Sequence, residues 1–322
     1  MNDRTEETEG CVHLQIIRDF LEKQNPCPQP TAVALGTFDG LHLGHRRVIE
    51  NVVNRPGLLP AVFTFRDVPA ASFGRHVPQL VVGEEKARLM EEQGVQAMFL
   101  VDFADVRYMQ PEDFIEYLLL DKLNAKYVVC GFNFRFGAGG RGDVAMLREH
   151  CEAAGVQVEV VPPVELEGAP VSSSRIRACV AEGRVEEAAR LLGRNFSYAF
   201  EVVHGRQLGR TIGVPTINQR MPEDLVVPKF GVYASVVECA GERYLGVTNI
   251  GVKPTVGSDY VASETWIPGF SGDLYGTFPR VELLSFIRPE RKFAGLEELQ
   301  QEIFENEKQA RKIALQMGLT VL

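Results

Sequence analysis

The chain of 322 residues is 45% hydrophobic and 24% charged, proportions of a soluble globular protein long enough for two domains. A formal net charge of −9 argues against a general nucleic-acid-binding surface. No run approaches the roughly 18 apolar residues of a membrane-spanning helix, and the polar, acidic start MNDRTEETEG is unlike a signal peptide. The six cysteines are scattered with no CxxC pair, as expected of free thiols in a reducing compartment. The expectation is a cytoplasmic chain without membrane or nucleic-acid partners; oligomerisation is left open.

In the first half, short apolar runs alternate with helical patterns. Strands are predicted at Thr31–Leu35, Ala61–Phe65, Ala97–Val101, Tyr127–Cys130 and Val156–Val161. Helices are predicted near His45–Val53, Glu84–Gln93, Pro111–Leu120 and Val144–Ala154. Such alternation implies an α/β domain with a doubly wound parallel sheet, whose ligands bind beyond the carboxyl ends of the strands.

The stretch Gly36–His45, GTFDGLHLGH, lies at such an end. It is a glycine-bearing turn between a strand and a helix N-terminus, where free N–H groups and the helix dipole favour an anion. Gly36 and Gly40 allow close approach of the backbone, and His42 and His45, three residues apart, can each donate to phosphate oxygens. Paired histidines in this frame outweigh the alternative of simple capping. A second glycine-rich stretch, Gly131–Asp143 (GFNFRFGAGGRGD), follows the fourth strand and reads equally as a surface loop or a ligand loop. The run VSSSRIR, Val171–Arg177, places Ser172, Ser173, Ser174 and Arg177 at a helix start; N-capping and phosphate binding both fit it.

The helical region Ser173–Leu192, interrupted at Gly183, marks the expected break between domains of residues 12–184 and 185–322. Beyond it, strands are predicted at Tyr198–Val203, Val232–Glu238, Tyr244–Asn249, Ser263–Trp266 and Arg280–Ile287. Their spacing suggests a small antiparallel β-barrel, followed by an amphipathic helix from Leu296 to about Leu315. The stretch Gly209–Asn218, GRTIGVPTIN, combines a phosphate-wrapping glycine turn with Thr216 and Asn218, which offer hard oxygens to Mg²⁺. A plain β-turn opened by Pro215 is the alternative there.

Taken in order, GTFDGLHLGH, GFNFRFG, SSSRIR and GRTIGVPTIN resemble the prokaryotic bifunctional riboflavin kinase/FMN adenylyltransferases. PKFGVY, NIGVKPT, SETW, DLYG and IRPERKF follow in that family's order. The resemblance implies an HxGH nucleotidyltransferase domain followed by a riboflavin-kinase barrel, with riboflavin, FMN and ATP as substrates and Mg²⁺ as cofactor. It implies His42, His45 and Asn133 as catalytic for adenylylation and Glu264 as general base toward the riboflavin 5′-hydroxyl. It further implies ATP or phosphate contacts from Gly36, Phe38, Gly40, Ser173, Ser174, Arg177, Gly209, Arg210 and Gly213. Flavin contacts are implied for Phe63, Phe65, Phe136 and Arg288.

Two departures stand out. Trp266 and Gly269 replace the family's usual His and Asp in ETHxxDF, and FRDVP (Phe65–Pro69) replaces FxPHP. Trp266 and Gly269 prompt a second reading, an FMN adenylyltransferase with a degenerate kinase module; a third, a flavin-binding regulator without turnover, is opposed by the intact GTFDGLHLGH.

Overall fold

The computed structural model of the chain describes residues 13–66, 68, 74, 76–205, 208–253 and 259–322. Two compact units are present among them. One takes in the ranges Met1–Phe38, Gly44–Arg75 and Lys86–Pro163; the other takes in Asp39–Leu43, His76–Glu85 and Val164–Leu322.

The first unit is built on β1 (Gln15–Ile17), β2 (Thr31–Leu35), β3 (Leu59–Phe65), β4 (Ala97–Val101), β5 (Ala125–Gly131) and β6 (Gln157–Val161). These form one parallel sheet in the order β1-β4-β3-β2-β5-β6. β2 (TAVAL) and β4 (AMFLV) are buried at every position, the mark of parallel strands covered on both faces. Ile115 and Leu118 of the helical segment Phe114–Lys122, with Phe20, Phe63, Phe99 and Phe114, belong to its core. After β2 the order runs outward through β3 and β4, whereas β5 lies on the other flank of β2. The crevice at that reversal is where doubly wound sheets bind ligands. β1 escapes the sequence pattern because three residues are too few to show a period. The predicted helix at Pro111 continues with π-helical turns over Phe114–Lys122.

The second unit holds a small hairpin, β7 (Glu165–Leu166) and β8 (Ala169–Pro170), and seven strands: β9 (Phe196–Ala199), β10 (Val202–Val203), β11 (Thr216–Arg220), β12 (Gly231–Cys239), β13 (Glu242–Lys253), β14 (Tyr260–Trp266) and β15 (Arg280–Arg288). All seven pair antiparallel, in the order β10-β11-β14-β13-β12-β15-β9. The two end strands, β9 and β10, are consecutive in the chain, so the sheet curls back upon itself as a barrel. The run Tyr198–Val203, expected as one strand, is divided between these two.

The helices Ser173–Ala181 and Val185–Leu192 both belong to this unit, parted by Gly183 at φ +80°. Ile176, Val180, Leu191 and Leu192 pack with Phe196, Tyr198 and Tyr233. Ala310 and Ala314 of the final helix, Leu296–Gln316, lie against Val232, Ala234 and Leu245.

No strand is predicted from the sequence at β11, where a β-turn opened by Pro215 is one of the two readings. It is a strand whose polar core residue, Gln219, is held from one end of its amide: Nε2 donates to the carbonyls of Phe200 (2.6 Å) and Pro279 (2.9 Å), while Oε1 is buried without a partner among the described residues. A hydropathy pattern cannot show this.

Cys27, Cys130, Cys151, Cys179 and Cys239 are free and buried. Burial pushes the thiols of Cys130 and Cys151 up to about 12 and 11, which makes them poor nucleophiles. Among the described residues no helix is long and apolar enough to cross a membrane.

Two candidate active sites

The turn GTFDGLHLGH leaves the carboxyl end of β2, and GFNFRFG leaves that of β5. Leu35 stands opposite Cys130 in the ladder, so both loops depart at the same level of the sheet. The helix that follows the first turn spans Leu43–Val53. Three of the four residues from Phe38 to Leu41 have left-handed backbone: Phe38 at φ +48°, Gly40 at +84° and Leu41 at +43°. For Phe and Leu this conformation is strained and persists only where surrounding structure enforces it, as at ligand sites.

Within the first unit, the amide of Gly36 donates to the Phe63 carbonyl at 3.3 Å. A Cβ on Gly36 would lie 3.1 Å from the Phe38 ring, so Gly36 lets that buried ring fold back beneath the turn. The Phe38 ring meets the His45 imidazole edge-on, 5.4 Å between centroids. Asn133 is exposed in the turn after β5. Phe63 is only 1% exposed and makes edge contacts with Phe20, Phe65 and Phe114, so it supports the site from the core rather than facing a ligand. Phe136 is buried too, stacked on Phe134, whereas Phe65 is half-buried against Phe103. Asp67 and Pro69 of the FRDVP segment lie outside the described residues.

Two residues here were not singled out from the sequence. Lys86 is buried, and its ammonium donates to Thr37 O, Thr64 Oγ1 and Phe65 O, each at 2.9 Å. It ties the ends of β2 and β3 together; in sequence it is the single lysine of an acidic helix, Glu84–Glu92.

The second is Asp39, in the second unit. Its carboxylate accepts from the Leu80 amide (2.7 Å) and from Arg177 Nη2 (3.1 Å), and its carbonyl accepts from Ser173 Oγ (2.9 Å). Arg177 also reaches Ser174 Oγ at 3.3 Å. Ser172 is the N-cap of the helix, its Oγ accepting from the Arg175 amide, so capping and the Asp39 contact divide the serines between them. A Cβ on Gly40 would come within 2.7 Å of Leu80. His42 is 6% exposed; burial and then the nearby Arg194 cation lower its pKa to about 4, against a hydrogen bond to its own backbone. At neutral pH it is therefore an uncharged donor.

The second site is a cavity of about 520 Å³ in the barrel unit. Thr216, Asn218, Glu264, Trp266 and Arg288 all line it, as does Gly209. The barrel registers assemble the polar row: Asn218 of β11 and Asn249 of β13 flank Glu264 of β14 on either side. Lys253 Nζ donates to Glu264 Oε2 at 2.5 Å. Arg288 is anchored through Nε to Asn306 Oδ1 (3.0 Å) and Glu302 Oε1 (2.9 Å); burial lowers its pKa, opposed by the Glu302 charge. Trp266 lies in the cavity wall and meets Phe304 of the final helix edge-on at 5.5 Å.

The glycine turn is shaped by close contacts. A Cβ on Gly209 would fall 2.3 Å from the Val214 carbonyl, while Gly213 needs φ +72°. Arg210 donates to the Tyr275 hydroxyl at 3.2 Å. Lys253 and Asn249 have no distinguishing signal in sequence beyond their place in NIGVKPT; the Pro254 and Thr255 of that motif lie outside the described residues.

The donor set suits Mg²⁺. Thr216 and Asn218 share one face of β11, both offering neutral oxygens to the cavity, and Gly205 lacks the Cβ that would press within 2.7 Å of the Asn218 amide. Among the described residues there is no cluster of three or more His, Cys, Asp or Glu able to hold a metal.

A family model for FAD synthetase matches residues 24–175, and one for riboflavin kinase matches residues 192–314. The bifunctional riboflavin kinase/FMN adenylyltransferase of Listeria monocytogenes is 35% identical over 287 residues, 87% of this chain and 91% of that protein. The Escherichia coli K12 protein of the same description is 34% identical over 315 residues, 95% of this chain and 99% of its own. A solved structure described as a macrolide-efflux protein from Streptococcus pneumoniae superposes with a TM-score of 0.82 at 30% identity, covering 92% of this chain and 98% of that one.

Proposed function

Because this chain belongs to the bifunctional riboflavin kinase/FMN adenylyltransferase family, with both an FAD synthetase and a riboflavin kinase domain, we propose that it phosphorylates riboflavin to FMN and adenylylates FMN to FAD. The domains are taken as residues 12–184 and 185–322. The observation that carries the kinase half is the convergence of Glu264, Thr216 and Asn218 on one cavity.

In that cavity Glu264 accepts the proton of the riboflavin 5′-hydroxyl as its oxygen attacks the γ-phosphorus of ATP, and ADP leaves. Lys253 fixes the carboxylate until substrate arrives. Thr216 and Asn218 would hold Mg²⁺, which when bound would neutralise charge on the ATP phosphates. Gly209 and Gly213 shape the phosphate turn, Arg210 borders it, and Arg288 borders the flavin.

For adenylylation, an FMN phosphate oxygen bonds to the α-phosphorus of ATP, the bond to the β-phosphate breaks, and pyrophosphate leaves. His42, as a neutral N–H donor, and His45 stabilise the charge on the α-phosphate; Gly36, Phe38 and Gly40 shape the turn. Asn133 aligns the reactants, and Ser173, Ser174 and Arg177 receive pyrophosphate. Phe65 offers the flavin its partly open ring, with Phe63 and Phe136 behind. No covalent intermediate is required, consistent with buried, unreactive thiols. The buried free cysteines also fit a cytoplasmic location.

Trp266 does not displace Glu264, Thr216 or Asn218 from the cavity, so the degenerate-kinase reading gains nothing from the geometry. Incubation with riboflavin, ATP and Mg²⁺ followed by chromatography of the flavins tests the whole. FMN and FAD are the expected products. FAD formed only from added FMN, or flavin bound but unconverted, would overturn the kinase half or the entire reading.

A further inference from the structure

Asp39 makes more directed contacts than any role given so far requires. Its side chain is 3% exposed, and it faces an Arg177 side chain that is 18% exposed. One carboxylate oxygen holds the Leu80 amide; the other holds the Arg177 guanidinium; the main-chain carbonyl takes the Ser173 hydroxyl. A carboxylate this buried is retained only where its charge is matched, and the charge-assisted bond to Arg177 matches it. Arg177 in turn has one nitrogen on Ser174, while its Nε is buried with no acceptor among the described residues. The guanidinium is thereby aimed by two fixed partners and retains a donor to be matched.

We propose that Asp39 is a positioning residue of adenylyl transfer, holding Arg177 and Ser173 in the orientation that receives the pyrophosphate leaving group. The inference rests on the assignment of Ser173, Ser174 and Arg177 to pyrophosphate made above. Asp39 touches no substrate. It fixes the rotamer of a long, flexible side chain before substrate binds, so that ordering Arg177 is not left to the reaction itself. Its second bond, to Leu80, anchors the carboxylate to the His76–Glu85 segment. That segment is itself tied to the barrel: the Gln79 amide donates to the Asp224 carbonyl at 2.6 Å, and the Val226 amide to the Gln79 carbonyl at 2.8 Å.

Asp39→Asn separates the two bonds. The amide oxygen can still accept from Leu80, but its NH₂ faces the guanidinium and cannot accept from it. The experiment measures product inhibition of FAD synthesis by pyrophosphate, KM for FMN, and riboflavin phosphorylation. It compares the full chain with Asp39→Asn, Arg177→Met and the double variant. Asp39→Asn is expected to weaken pyrophosphate inhibition by about tenfold or more, the scale of one hydrogen bond to a charged group, and to leave KM for FMN within about twofold. Riboflavin phosphorylation should persist, and in the Arg177→Met background the second substitution should add nothing. Unchanged pyrophosphate inhibition, an equal further loss in the Arg177→Met background, or loss of riboflavin phosphorylation would each overturn the proposal; the last would make Asp39 a scaffold of the barrel unit. Failure of the unaltered chain to make FAD from FMN and ATP would instead overturn the functional reading beneath it.

Discussion

At the scale of single residues, the roles proposed for the histidine turn and for the glutamate of β14 invite separate tests. Replacing His42 with Ala removes one donor to transition-state charge, so FAD formation should fall by about 10² or more while riboflavin phosphorylation is nearly unaltered. An equal loss in both assays would make the histidine structural. His42 also leaves a mark on stability. Its folded pKa of about 4 lies below the ordinary 6.5, so the folded state binds fewer protons than the unfolded one between those values. Its contribution is complete above pH 6.5 and is lost as pH falls toward 4, on the order of a few kcal/mol. Urea denaturation at pH 7.5 and pH 4.5 should show a drop that shrinks in His42→Gln; an unchanged drop would place the pH dependence elsewhere. Glu264→Gln keeps size but removes the proton acceptor, and kinase turnover should fall by about 10²- to 10⁴-fold. Trp266→His should change turnover little, since the indole packs on Phe304 and blocks none of the polar row. A clear rise in FMN production on that substitution would mark the indole as an impairment.

At the scale of elements, the barrel's neighbouring strands are joined by more than their ladders. Ser235 Oγ and Thr248 Oγ1 lie 2.8 Å apart, and Thr248 Oγ1 and Thr265 Oγ1 2.9 Å apart, a buried hydroxyl chain across β12, β13 and β14. It runs beside Glu264 in the sequence of β14. Thr248→Val conserves shape but strips both bonds and leaves two buried hydroxyls unmatched, a cost of about 1–3 kcal/mol. Chemical denaturation should register that loss with an unchanged m-value, and a neutral result would mean the hydroxyls re-pair. Alternating side chains alone did not reveal β11, because Thr216 and Asn218 face a cavity and Gln219 faces the core. Its cavity face is polar and its core face holds a single apolar residue, Ile217, beside Gln219. Its neighbours in the chain, Gly209 and Gly213, kept the whole stretch looking like a loop.

For the whole molecule, the compact units do not follow the chain in two simple blocks. Asp39–Leu43 and His76–Glu85 belong with the barrel, as do Ser173–Ala181 and Val185–Leu192. A fragment starting at Val185 gives up Leu80, Val171, Ile176, Cys179 and Val180 from the barrel unit's apolar core, whereas one starting at Val164 gives up only the first of these. Both should phosphorylate riboflavin, neither should form FAD, and the longer should melt at the higher temperature because fewer apolar partners are missing. FAD synthesis by either fragment would sink the assignment of adenylylation to the histidine turn.

The sequence by itself determined the alternating strands and helices, the later antiparallel strands, the terminal helix and the motifs of both activities. These are local signals: apolar period, glycine punctuation, and residue types whose chemistry is visible without neighbours. Only the tertiary structure decided which side chains meet. Asp39 reads as one acid in a turn until Arg177, 138 positions along, lies on its carboxylate. Lys86 reads as a surface charge until three oxygens from two strand ends surround it. Phe63 reads as an aromatic near a ligand loop until the core rings close over it. Contacts between residues so far apart depend on strand order and register, which are set by the packing of the whole sheet and leave no trace in any short window of sequence.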